Sequence, residues 1–154
     1  KYYKIGNVEL NHHEVSMFYS FNKISSYIKD YHKIICEIGG GFGSLASKLK
    51  KKHENLCFII IDLPEAIILQ SYYLLKLYPE KKFCFYKDFI KLTSEELKNN
   101  NYDFIIIPPW VKQKITDLFK VDYFINTHSF QEMDREIVND YFDFIRKTIN
   151  LLRF

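Results

Sequence analysis

The residues of this 154-residue chain best equipped for chemistry are Glu37-Ile-Gly39-Gly40-Gly41-Phe42-Gly43, followed about twenty positions later by Asp62. Closely spaced glycines let the chain turn tightly and let a ligand approach bare backbone. A helix starting directly after Gly43 would point its unpaired N–H groups at the same ligand. An acid at the end of the next strand, where Asp62 falls, can accept hydrogen bonds from both hydroxyls of a ribose. Further along, His128 is the candidate general base, because histidine is the usual proton acceptor near neutral pH. Glu132 stands one helical turn beyond it. A metal pair of His128 and Glu132 needs a converging third ligand such as Asp134, whereas a helix-capping role explains Glu132 more simply, so no metal is expected.

Two ligand classes use a glycine loop and a strand-end acid in this way. Gly41-Phe-Gly43-Ser-Leu-Ala46 fits G-x-G-x-x-A, a dinucleotide fingerprint, and keeps an NAD-dependent oxidoreductase as the alternative reading. Glu37 opposes it, because a carboxylate two residues before the first glycine repels a pyrophosphate. It suits an ammonium group instead. S-adenosylmethionine carries an ammonium, a sulfonium and a ribose, and no phosphate, so it is the expected cofactor. Ile107-Pro108-Pro109-Trp110 is close to the (D/N/S)-P-P-(Y/F/W) motif of enzymes that methylate the adenine amino group. It lacks the side-chain oxygen that motif needs at Ile107, and two prolines ending a strand explain it better.

Strands and helices must alternate to hold these residues in place. Asn11-x-x-Glu14 has capping-box spacing and predicts an amphipathic helix over 12–29, with Met17, Phe21, Ile24 and Ile28 on one face. Residues 1–10 read as irregular. Buried strands are expected over 33–38 and 56–61, with a helix over 44–53 between them. The Lys50-Lys51-Lys52 run falls in that helix's last turn and reads as a solvated end, not a phosphate site. Pro64 suits the first turn of a helix running to Leu77, apolar almost all round and therefore expected to be heavily buried. Strand-like runs follow at 83–86, 102–107 and 121–126. Thr93-x-x-Glu96 and Ser129-x-x-Glu132 have capping-box spacing. The last helix carries Ile137, Tyr141, Ile145 and Ile149 at intervals of four. This order predicts an α/β, Rossmann-like three-layer sandwich with a mainly parallel sheet.

Composition narrows the function classes. A formal charge of +3, from 22 Lys+Arg against 19 Asp+Glu, lacks the basic excess of a nucleic-acid binder. With 47% hydrophobic and 27% charged residues the chain is globular, and no apolar run approaches the roughly 20 residues that span a bilayer. Cys36, Cys57 and Cys84 are odd in number, lack a CxxC spacing and sit in strand-like runs. Buried reduced thiols in a cytoplasmic protein are expected, not a disulfide framework or a zinc site. Aromatic residues reach 18% in a chain rich in Ile, Lys and Asn, a bias an AT-rich genome produces. The expected partner is a small molecule, with no nucleic acid and no membrane, and nothing specifies an oligomeric state.

Glu37-Ile-Gly-Gly-Gly-Phe-Gly43 resembles motif I of class I S-adenosylmethionine-dependent methyltransferases. Ile61-Asp-Leu-Pro-Glu65 is similar to the D-L-P segment of many small-molecule O-methyltransferases. Asp122-Tyr-Phe-Ile-Asn-Thr-His-Ser-Phe-Gln-Glu-Met133 is similar to the fourth-strand region of bacterial sugar O-methyltransferases. The resemblance covers about residues 30–150 and implies a split into an N-terminal helical segment (1–30) and a methyltransferase core (31–154). It implies O-methylation of a sugar or another small hydroxylated substrate. It gives Glu37 and the loop of Gly39, Gly40, Gly41 and Gly43 the methionine part of the cofactor, and Asp62 the ribose. Leu63 would line the adenine, and Asn126 would lie near the transferred methyl. Either Asp88 or the Ile107-Pro108 backbone would meet the adenine, depending on which of two runs is the third core strand; the family pattern favours Ile107. The family continues with about three more strands, so this chain, reaching Leu151-Leu-Arg-Phe154 at its last helix, is expected to lack the closing strands. An open apolar edge at 121–126 and a cofactor-binding but inactive fragment follow as further expectations.

Overall fold

The computed structural model of the chain describes residues 2–5, 7–31, 33–99 and 101–149. Its centre is a five-stranded sheet built from β3 (Ile34–Ile38), β4 (Cys57–Ile61), β5 (Phe83–Phe85), β6 (Phe104–Ile107) and β7 (Tyr123–Ile125). The order is β5-β6-β4-β3-β7, and every pairing is parallel. A small antiparallel hairpin, β1 (Tyr2–Ile5) and β2 (Val8–Asn11), precedes it. The helices are α1 (His12–Tyr27), α2 (Ser44–Lys52), α3 (Pro64–Leu77), α4 (Tyr86–Phe89), α5 (Ser94–Asn99), α6 (Gln113–Leu118) and α7 (Arg135–Thr148).

The two-residue period of the strands divides the core between the faces of the sheet. Ile35, Phe58, Ile60, Phe104 and Ile106 point one way, onto Met17 of α1, Leu45 and Leu49 of α2 and Leu74 of α3. Cys36, Ile38, Ile59, Ile61, Ile105 and Ile107 point the other way, onto Phe89 of α4, Ile115 of α6 and Tyr141 and Phe144 of α7. With both faces covered, the central strands are apolar throughout, as parallel strands are. Each such side chain contributes roughly 2 kcal/mol by leaving water. The result is the three-layer Rossmann-like α/β fold expected from the sequence.

Several local expectations are borne out. Asn11 accepts from the Glu14 N–H while Glu14 accepts from the Asn11 N–H, a complete capping box. Thr93 and Glu96 make the same reciprocal pair. Met17 is buried, as the helical face of α1 requires, while Ile28 is buried just past the helix end, which comes at Tyr27 and not at 29.

Others are corrected. Residues 2–5 and 8–11 pair as antiparallel strands, because β-forming residues flank the Gly6-Asn7 pair of the sequence. α3 is not heavily buried: only Gln70 and Leu74 are covered, while Ile68 and Leu69 stay 70% and 62% exposed. One side of that helix packs on the sheet and nothing among the described residues covers the other. The inward stripe of α7 is Tyr141, Phe144 and Thr148, and Ile137 faces outward. The run 121–126 narrows to Tyr123–Ile125, and Val121 is buried because it bridges in parallel to Ile149 at the end of α7. That contact closes the start of the edge expected to be open. Residues 150–154, expected at the end of the last helix, lie outside the described residues.

Candidate functional site at the carboxyl ends of the strands

The glycine loop leaves β3 and enters α2. Gly39 donates to the Ile61 carbonyl (2.9 Å), and Gly43 donates to the Gly40 carbonyl (2.9 Å), closing the turn. Gly39 has φ +75° and lies against Ser129, so a Cβ there would collide with the Ser129 side chain. Gly41, at φ +58°, has open space where a Cβ would stand. Bare backbone thus faces outward at Gly41. Gly43 is the N-cap of α2 and supplies no side chain to its first N–H groups.

Glu37 occupies a core position of β3, in phase with Ile35, and is 2% exposed. Its Oε2 has no hydrogen-bond partner among the described residues. Burial, and then the nearby Asp62 carboxylate, pushes its pKa up to about 8. An unpartnered buried carboxyl is costly and asks for a cation or a donor. Asp62 follows β4 and is half-buried. Burial raises its pKa, and the Leu63 N–H, the Gln70 amide and the Gly41 and Gly40 N–H groups pull it back. Gln70, wholly buried on α3, donates to Asp62 Oδ2 (2.5 Å) and to the Gly41 carbonyl (2.8 Å).

Two adjoining cavities open here, where α/β sheets bind ligands. One, of about 290 Å³, is lined by Glu37, Gly39, Gly40, Gly41, Asp62, Thr127, His128, Ser129 and Glu132, with His13 and Met17 from α1. The second, of about 570 Å³, is lined by Leu63, Pro109, Trp110, Met133, Ile137 and Tyr141, with Glu132 again at its wall. The first is built around a buried acid; the second presents larger apolar side chains, Leu63 and Trp110 among them, with Lys112, Glu132 and Asp134 at its edge. The larger cavity of about 620 Å³ lies at the opposite pole, around Lys50 and Asp103. Its buried charge is satisfied: Lys50 donates to the Glu54 and Leu56 carbonyls and pairs with Asp103 at 2.6 Å.

The expected site residues therefore separate. Glu37, Gly39, Gly40, Gly41, Asp62 and His128 share the first cavity, and Leu63 lines the second. Gly43 lies behind the loop, against Leu74. Asn126 is turned inward. Its amide donates to the Ile38 carbonyl (2.9 Å) and to Ser129 Oγ, and its Oδ1 accepts from the Phe130 N–H. It ties the end of β7 to the end of β3 and so presents Thr127, His128 and Ser129 to the cavity. Ile107 is wholly buried and its carbonyl accepts from the Asp62 N–H (3.3 Å). β6 pairs directly with β4, and Pro109 and Trp110 after it line the second cavity, whereas Asp88, on α4 beyond the outer strand, does not.

Two readings of polar side chains are overturned. Ser129 does not cap a helix with Glu132. Its hydroxyl donates to the Ile38 carbonyl (3.0 Å), and Ser129–Glu132 forms a short 3-10 turn. Lys50 is not part of a solvated helix end, because Asp103 and two carbonyls draw it inward. Cys36 and Cys84 are buried and all three thiols are free, with burial raising the pKa of each. Sequence reasoning missed Gln70 and Trp110 as parts of the site. For Gln70 the signal was a lone amide in an apolar helix. Among the described residues no cluster of three or more His, Cys, Asp or Glu side chains is placed to hold a metal, and no helix is long and apolar enough to cross a membrane.

No protein-family profile matches the chain, and no curated protein matches it. Among solved structures it is similar to the mitomycin 7-O-methyltransferase MmcR, with a TM-score of 0.57 and 14% sequence identity. The likeness covers 89% of this chain and 34% of that one, so the chain spans about a third of the length of MmcR. At that identity the likeness shows the fold alone, the Rossmann-like α/β arrangement of strands and helices.

Proposed function

We propose that this chain binds S-adenosylmethionine and transfers its methyl group to a hydroxyl oxygen of a small substrate such as a sugar. The observation that carries the reading is Glu37: a buried, unpartnered carboxyl beside a glycine loop, on one cavity with Asp62. This donor set fits the cofactor and opposes a pyrophosphate. Glu37 would hold the ammonium, the open space over Gly41 would admit the methionine part close to the backbone, and Asp62 would hold the ribose hydroxyls. The apolar cavity of Leu63, Pro109 and Trp110 would take the adenine between a leucine and an aromatic ring. When bound, the cofactor supplies an electrophilic methyl on a sulfonium. The chain's own part is to orient the acceptor at Thr127 and His128 and to exclude water with His13 and Met17 of α1. His128 would take the hydroxyl proton as the oxygen attacks.

Trp110 is the single tryptophan of the sequence, so its fluorescence reports on the apolar cavity. Titration with S-adenosylhomocysteine should change that fluorescence and give a saturable isotherm, with NAD as control. Binding of NAD alone would sink the proposal. Methyl transfer to a panel of sugars, followed with labelled cofactor, tests the reaction. Cofactor binding with no transfer to any hydroxyl acceptor would leave a binding protein, not an enzyme.

A further inference from the structure

We infer that Gln70 is a positioning residue that locks the glycine loop to the ribose-binding acid, and this rests on the cofactor reading above. Its amide nitrogen donates to the Gly41 carbonyl at 2.8 Å and to Asp62 Oδ2 at 2.5 Å. Both partners are acceptors, so only the NH2 end of the amide can serve them, and the orientation of the group is determined. One side chain from α3 thus joins the end of β3 to the end of β4. It also contributes to keeping Asp62 ionised against the burial that raises its pKa.

The residue is expensive to keep at this place. Gln70 is wholly buried in an otherwise apolar helix, and its Oε1 has no hydrogen-bond partner among the described residues. A leucine of similar size would avoid that desolvated acceptor. The two acceptors it serves are less dependent on it for solvation, because Gly41 is exposed and Asp62 only half-buried. An amide that joins a carboxylate to a loop carbonyl at the rim of the cavity has its use in the ligand-binding geometry. Asp62 Oδ1 accepts from the Leu63 N–H (2.8 Å), so Gln70 and Leu63 together clamp both oxygens of the acid. With the Gly40 and Gly41 N–H groups also turned toward it, the carboxylate is held on the loop side while it lines the cavity.

The test separates positioning from general structure. Affinity for S-adenosylhomocysteine and for its 2′-deoxyribose analogue is measured calorimetrically in wild type and in Gln70→Leu. Wild type should prefer the ribose form. Gln70→Leu should bind it at least tenfold more weakly, and its preference for the ribose form should collapse toward one, while its thermal midpoint stays near that of wild type. Gln70→Met serves in the same way if the leucine variant does not fold. A variant that keeps the wild-type ribose preference overturns the role of Gln70 and leaves the cofactor reading intact. A wild-type protein that binds neither compound overturns both.

Discussion

At the scale of single residues, Glu37 decides most. Its carboxyl is protonated in the free site at pH 7, because burial and Asp62 hold its pKa at about 8. An ammonium placed against it would lower that pKa and expel the proton. Cofactor binding at pH 7 should therefore release close to one proton, read by calorimetry in buffers of different ionisation enthalpy, and affinity should rise as pH approaches 8. No proton release in wild type would argue against an ammonium at Glu37. Glu37→Gln should lose at least a hundredfold in affinity while remaining folded, since a neutral amide replaces a carboxyl that is itself neutral without ligand at pH 7. His128 is the residue for which spacing was informative but insufficient. Its place at a strand end was legible, yet its access to the cavity depends on Asn126 and Ser129 reaching the Ile38 carbonyl.

Between elements, the same kinds of contact hold the site together and fail separately. Gly39→Ala should destabilise the protein by about 2–4 kcal/mol in urea denaturation, since the new Cβ meets Ser129 and the backbone at φ +75° suits only glycine. At the opposite pole, Lys50→Ala removes the donor to two carbonyls and the partner of Asp103, leaving Lys81 at 3.8 Å as the remaining cation there. A loss of about 3 kcal/mol is expected, with cofactor binding unaffected at temperatures where the variant is folded. Ile68→Ser and Leu69→Ser on α3 should each change stability by less than about 0.5 kcal/mol, because these side chains are already in water. A large loss at either would restore the buried helix that hydropathy predicted. That prediction failed because hydropathy describes a helix alone, whereas burial depends on a second surface to meet each face.

For the molecule as a whole, Glu37 links the site to stability. Its folded pKa of about 8 lies above the ordinary 4.5, so the folded state binds its proton more tightly than the unfolded state does. The stabilisation from that proton is full below pH 4.5 and is lost as pH rises through 8. The free protein should melt at progressively lower temperature across that window, and Glu37→Gln should flatten this part of the profile. Equal slopes in the two proteins would mean that Glu37 is not protonated when folded. The alternating order of elements, the glycine loop and its strand-end acid were all legible in the sequence, because they depend on local rules: periodicity, capping spacing and turn chemistry. Residue types alone also placed a carboxylate where a phosphate would be repelled. Only the tertiary structure decided that β6 sits between β4 and β5, so that Trp110 and not Asp88 faces the apolar cavity. It alone decided that Gln70 bridges Gly41 and Asp62, that Asn126 braces the loop beneath His128, and that Lys50 is buried. These are contacts between residues distant in the chain, and no local periodicity or spacing encodes which partner a side chain will meet across the sheet.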